Sequence, residues 1–193
     1  MTLRSWRQPL LVVGFVAAGS IAFAHSHVHR NLSDSLPIAA PYLVWSPSAP
    51  VRVGDLVEAC PPLDAALQAR QRGYAESGSC PGGVAPFLKL VAAIAGDVVT
   101  TTPKAVLVDG HALPNSAQVL ADSKGRRIVT RPYGTHRLLR GQVWLYGTNP
   151  RSFDSRKFGP VQTTAVRFVA WAPIVSAPLP DLRTRTPVGR PTP

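Results

Sequence analysis

A mainly β domain is what this 193-residue sequence predicts, preceded by a hydrophobic N-terminal segment and followed by a proline-rich tail. Three observations carry that expectation. Pro 20 and Gly 15 interrupt helices too often for a bundle. Short apolar runs recur between turn signals along the middle of the chain, as in an all-β fold. Hydrophobic residues make up 45% of the sequence, enough for a core in a chain of one-domain length.

At the N-terminus, Arg4 and Arg7 precede Pro9 to Ala24, a stretch without charge in which Ser20 is the one polar side chain. With Trp6 and Gln8 included it approaches the about 20 residues that a bilayer core requires. The cationic flank places that end in the cytoplasm and the rest of the chain outside it. Ala22-Phe23-Ala24 also fits the small-x-small pattern of a cleaved secretory signal. Both readings export the domain. A retained anchor is preferred because it holds the serines that follow close to a membrane. The sequence thus divides into residues 1–24 as anchor, 25–176 as domain and 177–193 as tail, single-pass in the inner membrane with the domain in the periplasm.

His25, His27 and His29 alternate, so an extended segment would put them on one face. No carboxylate or cysteine lies in that stretch to complete a metal site, and a solvated linker is the expectation; no metal or other cofactor is called for. Asn31-Leu32-Ser33 matches a glycosylation sequon, a pattern too common to carry weight. Leu43-Val44-Trp45 and Asp55 to Ala59 read as strands separated by a Pro/Gly turn region. Pro62 to Arg72 reads as a short helix, with Leu63, Ala66 and Leu67 on one side, ended by Gly73. It falls between Cys60 and Cys80. In an oxidising compartment these two cysteines are expected to pair, closing a loop worth about 3 kcal/mol by chain entropy; two separate buried thiols are the alternative.

Phe87 to Ile94 is strand-like, and Gly96-Asp97 turns the chain into Val98-Val99-Thr100. Ala105 to Val108 followed by Asp109-Gly110 gives a second hairpin signal. Leu138 to Tyr146 and Thr164 to Trp171 supply later strands. From Ala177 onward the apolar content is too low to pack, and disorder is expected. The formal net charge of +11 is scattered, without a dense basic block or interleaved aromatics, so nucleic acid is not an expected partner.

The chemistry begins with Lys89, which sits in Phe87-Leu88-Lys89-Leu90-Val91. A free lysine titrates near 10.4, leaving about one in 2,500 neutral at pH 7. To act as a general base it must titrate near 7, which takes about 4 kcal/mol of destabilisation of the ammonium. Both faces of this strand are apolar, so desolvation is the available cause. A lysine snorkelling at a strand edge is the alternative. Ser35 lies in Ser33-Asp34-Ser35-Leu36-Pro37, where Pro37 biases Leu36 toward extended backbone. Ser33, two residues back, could assist the Ser35 amide in holding an oxyanion. In Ser152-Phe153-Asp154-Ser155-Arg156, an extended chain would put Ser152, Asp154 and Arg156 on one side. Asp154 and Arg156 could pair there, with Ser152 reaching the lysine amine. Each segment alone could be an ordinary polar loop.

Ser33-x-Ser35-Leu36-Pro37, Leu88-Lys89 through Gly96-Asp97, and Ser152-x-Asp154-Ser155-Arg156-x-x-Gly159 occur in one order. This pattern resembles the bacterial type I signal peptidase family. The cysteine pair, Cys60-Pro61-Pro62 and Arg72-Gly73-Tyr74 bring it nearest to the conjugative-transfer branch, the TraF-type peptidases. The resemblance implies a signal-peptidase-like β-fold with an N-terminal transmembrane helix and a short helical insert. It implies a serine endopeptidase with Ser35 as nucleophile and Lys89 as general base. Ser33, Ser152, Asp154 and Arg156 would support them. The implied partners are membrane lipid and a precursor substrate with small residues before the cut, in this branch a pilin precursor or another conjugative secretion component. Leu36 in place of methionine, Leu90 after the lysine, Ala95 before Gly96-Asp97 and Lys157 in place of an aromatic depart from the usual pattern. The segment 147–151 is also shorter and less acidic than in housekeeping members. The competing expectation is a catalytically inert, membrane-anchored assembly protein of a conjugative secretion apparatus.

Overall fold

The computed structural model describes residues 27–39 and 41–183. The expected N-terminal anchor and His25 therefore lie outside the described residues, as does the tail beyond 183. Among the described residues no helix is long and apolar enough to cross a membrane.

Two antiparallel sheets make up the domain. The larger contains β1 (His27–His29), β2 (Tyr42–Trp45), β3 (Leu56–Ala59), β5 (Phe87–Ile94), β10 (Gln142–Tyr146), β11 (Val161–Gln162) and β12 (Val166–Trp171), in the order β1-β2-β12-β3-β5-β10-β11. The smaller contains β6 (Val98–Thr101), β7 (Val106–Val108), β8 (His111–Ala112) and β9 (Gly134–Arg137), in the order β8-β7-β6-β9. β5 runs through the centre of the larger sheet, paired with β3 on one side and β10 on the other. That is why its sequence is a continuous apolar run interrupted by one lysine: both faces are covered. One core packs Leu56, Leu88, Leu90, Tyr146 and Val106 together, a second packs Val57, Val91, Leu145 and Phe158, and a small third packs Ala66 and Val84 with the two cysteines.

The helix expected between the cysteines is α1 (Leu63–Arg72), ended by Gly73 in the left-handed conformation, whose N–H caps the last turn. Its buried face differs from expectation. Ala65, Ala66 and Ala69 are buried while Leu63 and Leu67 are half exposed. A Cβ added to Gly82 would lie 2.9 Å from the Ala66 side chain, so the helix rests too close to that loop for leucines. β4 (Ser77–Cys80) follows and bridges Val84. Cys60 and Cys80 are joined as a disulfide, with Cα atoms 5.4 Å apart, tying the insert at its base.

Three expectations are corrected. The histidine segment is not a solvated linker: His27–His29 is an edge strand on β2, and His29 donates to or accepts from Glu58 through Nδ1 at 2.7 Å. The expected extended backbone at 152–156 holds only as far as Asp154. That residue caps α2 (Ser155–Phe158), its carboxylate accepting from the Arg156 N–H. Finally, the start of the proline-rich tail packs. Leu182 is buried in the main core, and Arg183 pairs with Asp55 at 2.9 Å. Single anchor residues, rather than composition, decide the fate of such a segment.

Candidate active site

Ser35 sits on a loop that leaves β1 and is held from two sides. The Asn31 side-chain amide donates to the carbonyls of Ile38 at 2.9 Å and Leu36 at 3.4 Å. From across the chain, the Asn149 N–H donates to the Ser35 carbonyl at 3.2 Å, and the Asn149 side chain donates to the Asp34 carboxylate at 3.0 Å. The supposed sequon asparagine is thus a brace for the loop. Leu36 and Ile38 pin the loop's far side into the core. The Ser33 hydroxyl accepts from the Ser35 N–H at 3.4 Å, so the pair expected to share an oxyanion are here bonded to each other.

Lys89 projects from the middle of β5 and is 3% exposed. Its amine lies 5.4 Å from the centre of the Phe87 ring and donates to the Leu88 carbonyl at 3.1 Å. Burial brings its pKa down to about 8; Asp154 and Asp34 oppose the shift and Arg156 adds to it. Relative to a free lysine this raises the neutral fraction at pH 7 from about one in 2,500 to about one in ten. The amine makes no hydrogen bond to Ser35. Both residues line the same cavity of about 490 Å³, between the segment 29–33 on one wall and 73–76 with 85–89 on the other.

The support for these two groups comes through β10. Leu145 is level with Val91 and Tyr146 with Leu90, so Gly147 is the next residue level with Lys89. A Cβ on Gly147 would lie 2.2 Å from Ser152 Oγ and 2.8 Å from the Ser35 carbonyl oxygen. Glycine is required there because the Ser35 loop and Ser152 close over its backbone. Ser152 Oγ is buried without a hydrogen-bond partner, so the expected contact with the lysine amine is not made.

Asp154 and Arg156 form the expected ion pair at 2.7 Å, both fully buried. Asp154 also accepts from the Gly147 N–H at 2.8 Å. Arg156 donates to the carbonyls of Gly147 and Asn149, each at 2.9 Å, and of Asn115 at 3.0 Å. The pair therefore fixes the backbone of 147–149, which in turn holds Ser35. The aspartate beside it keeps the guanidinium charged despite its burial, and its pKa is raised. Lys157 points the other way, donating to Gln118 at 3.2 Å and to the Val119 carbonyl. Burial lowers its pKa to about 8 as well, with Arg156 adding to the effect.

The profile of the family described as "Signal peptidase, peptidase S26" matches residues 3–174. The chain belongs to the S26 signal peptidase family. Among curated relatives, a probable conjugal transfer protein TraF of Sinorhizobium fredii is 37% identical over 171 residues, covering 88% of this chain and 89% of that protein. A plasmid transfer protein TraF of Escherichia coli is 35% identical over 162 residues, 83% of this chain and 85% of that one. A conjugal transfer protein TraF of Agrobacterium tumefaciens is 35% identical over 172 residues, 87% of this chain and 96% of that one. A crystal structure of a signal peptidase I from Enterococcus faecalis superposes with a TM-score of 0.36 at 18% identity, over 63% of this chain and 97% of that one, a likeness too slight to argue from.

Sequence reasoning missed four residues of this candidate site. Asn31 and Asn149 brace the loop, Gly147 makes room for it, and Glu58 lies on the cavity wall. Gly147 carried a usable signal: a glycine directly after a buried strand marks close backbone approach. Asn149 and Glu58 act on residues far away in sequence, Asp34 for one and His29 and Tyr42 for the other, and give no local sign; Asn31 acts on the nearby Leu36 and Ile38 carbonyls. Among the described residues no cluster of His, Cys, Asp or Glu could hold a metal ion.

Proposed function

We propose that the chain is a membrane-anchored serine endopeptidase that cleaves leader segments from exported precursors, with a pilin-like precursor as substrate. The observation that carries this reading is the desolvated Lys89 amine, titrating near 8, on the same cavity as Ser35. In this reading neutral Lys89 takes the Ser35 proton as Oγ attacks the scissile carbonyl carbon. The Lys89 ammonium then returns a proton to the leaving amine, and the acyl chain stays on Ser35 as an ester. Water, or an amine of the same peptide if the product is cyclic, attacks that ester and regenerates both groups. The lysine's turn toward the Leu88 carbonyl is the resting arrangement; catalytic hydrogen bonds commonly tighten only when substrate binds. Ser152, unpartnered beside Gly147, is the group that would orient the amine.

Placement at the inner membrane, with the domain in the periplasm, belongs to the same proposal. It is supported by an exposed apolar rim near the nucleophile. Val28, Leu43 and Trp171 form one row across β1, β2 and β12, and the Ser176 N–H, just past exposed Ile174, donates to the Pro37 carbonyl. The relatives' names support a transfer-system substrate.

The test is co-expression with pilin precursors of the same transfer region, with mass measurement of the products. Intact chain should shorten one precursor, and Ser35→Ala should leave it whole. Cleavage by folded Ser35→Ala would overturn the reading. The absent Ser35–Lys89 bond favours a second reading, an inert assembly protein of the secretion apparatus. Lys89→Arg separates the two, since docking tolerates a guanidinium and a base cannot be one.

A further inference from the structure

Glu58 is 3% exposed, sits on β3 and lines the cavity that also holds Ser35 and Lys89. Its Oε1 accepts from the Tyr42 hydroxyl at 2.6 Å and contacts His29 Nδ1 at 2.7 Å. Its Oε2 is buried and has no hydrogen-bond partner. Among the described residues, only Glu58 Oε2, Trp144 Nε1 and Ser152 Oγ are buried polar atoms in that condition. Glu58 is the one carboxylate of the three and the one on the cavity lining.

An unsatisfied buried acceptor is costly, and more so when it belongs to a group able to carry charge. β3 could hold any apolar residue at this position, since its neighbours across the sheet are Leu88 and Phe168. Instead the carboxylate is held in place by two side chains from two other strands, both on one oxygen, leaving the second unpartnered on a residue that lines the cavity. Tyr42 and His29 are themselves fixed: Tyr42 is in the core, and His29 packs edge-on to Tyr42 and Phe168 at 6.2 and 5.8 Å. This is a pre-positioned acceptor on a cavity whose lining mixes apolar Phe87, Leu88 and Phe153 with polar groups, Glu76 and Arg30 among them.

We propose that Glu58, held by Tyr42 and His29, is a specificity-determining residue that accepts a hydrogen bond from a donor side chain, an amine or hydroxyl, of the precursor peptide near its cut. This rests on the peptidase reading and deepens it. Apolar contacts alone discriminate poorly between substrates. A buried acceptor discriminates strongly, because a peptide without the donor leaves it unpaired.

The experiment takes the precursor that the intact full-length chain cleaves and makes synthetic peptides spanning its cut. At each residue flanking the cut, Lys, Ser, Ala and Glu are substituted in turn, and kcat/KM is measured for intact protein and for Glu58→Gln. One position should prefer Lys or Ser over Ala and Glu by about tenfold in the intact protein. In Glu58→Gln, whose shape is the same but whose amide can donate, that preference should vanish or turn toward Glu. Tyr42→Phe, which frees Oε1, is the second variant and should shift the same preference should Glu58→Gln not fold. The same ranking of peptides in intact protein and both variants would overturn the proposal and leave Glu58 a structural residue with water on its free oxygen. If no precursor or peptide is cleaved by the intact chain, the peptidase reading falls first and this inference with it. Cleavage without a Glu58-dependent preference removes this inference alone.

Discussion

Two buried charged groups lie on either side of Gly147, and they are treated in opposite ways. Arg156 is fully surrounded by acceptors: Asp154 and the carbonyls of Asn115, Gly147 and Asn149. Lys89 has a single carbonyl and an aromatic ring. The first arrangement keeps its charge at any pH the protein meets; the second leaves the amine easily discharged. The difference teaches how a rigid frame and a reactive group can share a few residues. Every polar requirement of the frame is met, and the cost of unmet requirements is concentrated where chemistry would be done.

Removing the lysine is the sharpest way to break this comparison. Lys89→Met should abolish precursor cleavage and raise stability, since burying the ammonium costs about 3 kcal/mol relative to water. Thermal or urea unfolding beside a cleavage assay reads both. A variant that is less stable than the parent would show that the amine is well solvated after all. The opposite is expected at the frame. Asp154→Asn leaves the arginine buried without its counter-charge and should cost about 3 kcal/mol, with cleavage lost in parallel; unchanged unfolding would mean that the carbonyls alone suffice.

Gly147→Ala tests the junction between the two groups. Its methyl would meet Ser152 and the Ser35 carbonyl, so kcat should fall about a hundredfold while most of the stability is retained. Normal turnover would mean that the Ser35 loop yields freely. The smallest effect is in pH dependence. The active form is the neutral amine, and its folded pKa of about 8 lies below the free value, so kcat/KM should rise about tenfold from pH 7 to pH 9. Lys157 titrates in the same range but faces Gln118, away from the cavity. Lys157→Met should therefore keep the rising limb, and its loss there would reassign the titration.

The sequence disclosed the frame of the fold where apolar patterning was strong. Phe87–Ile94 was legible to the residue as a strand, and the helix was closed by its glycine where expected. Elements without that patterning were not. β9 is exposed along its length, β1 is polar and rests on a sheet edge, and α2 is too short to show a period. Ser152-Phe153-Asp154-Ser155-Arg156 was legible as an ion pair but not as a capped turn, since alternation and capping use the same residue types. Lys89 stood out by the apolar run around it and Ser35 by the ordered motifs that resemble signal peptidases, and both line one cavity. Asn149 and Glu58 did not stand out, because what gives them meaning is contact with Asp34, His29 and Tyr42, distant in sequence.

The link between Cys60 and Cys80 also has a consequence for the cavity. The stretch it encloses leads directly into β5 and carries Tyr74, Ala75 and Glu76, one wall of the space beside Lys89. With both thiols reduced, that wall would still be tied by the Tyr74 hydroxyl, which donates to Asp122 at 2.7 Å, by the Tyr74 ring against Phe153, and by the Ala85 N–H on the Glu76 carbonyl at 2.8 Å. The link at the base of the insert would therefore set how firmly the enclosure is held rather than whether it forms.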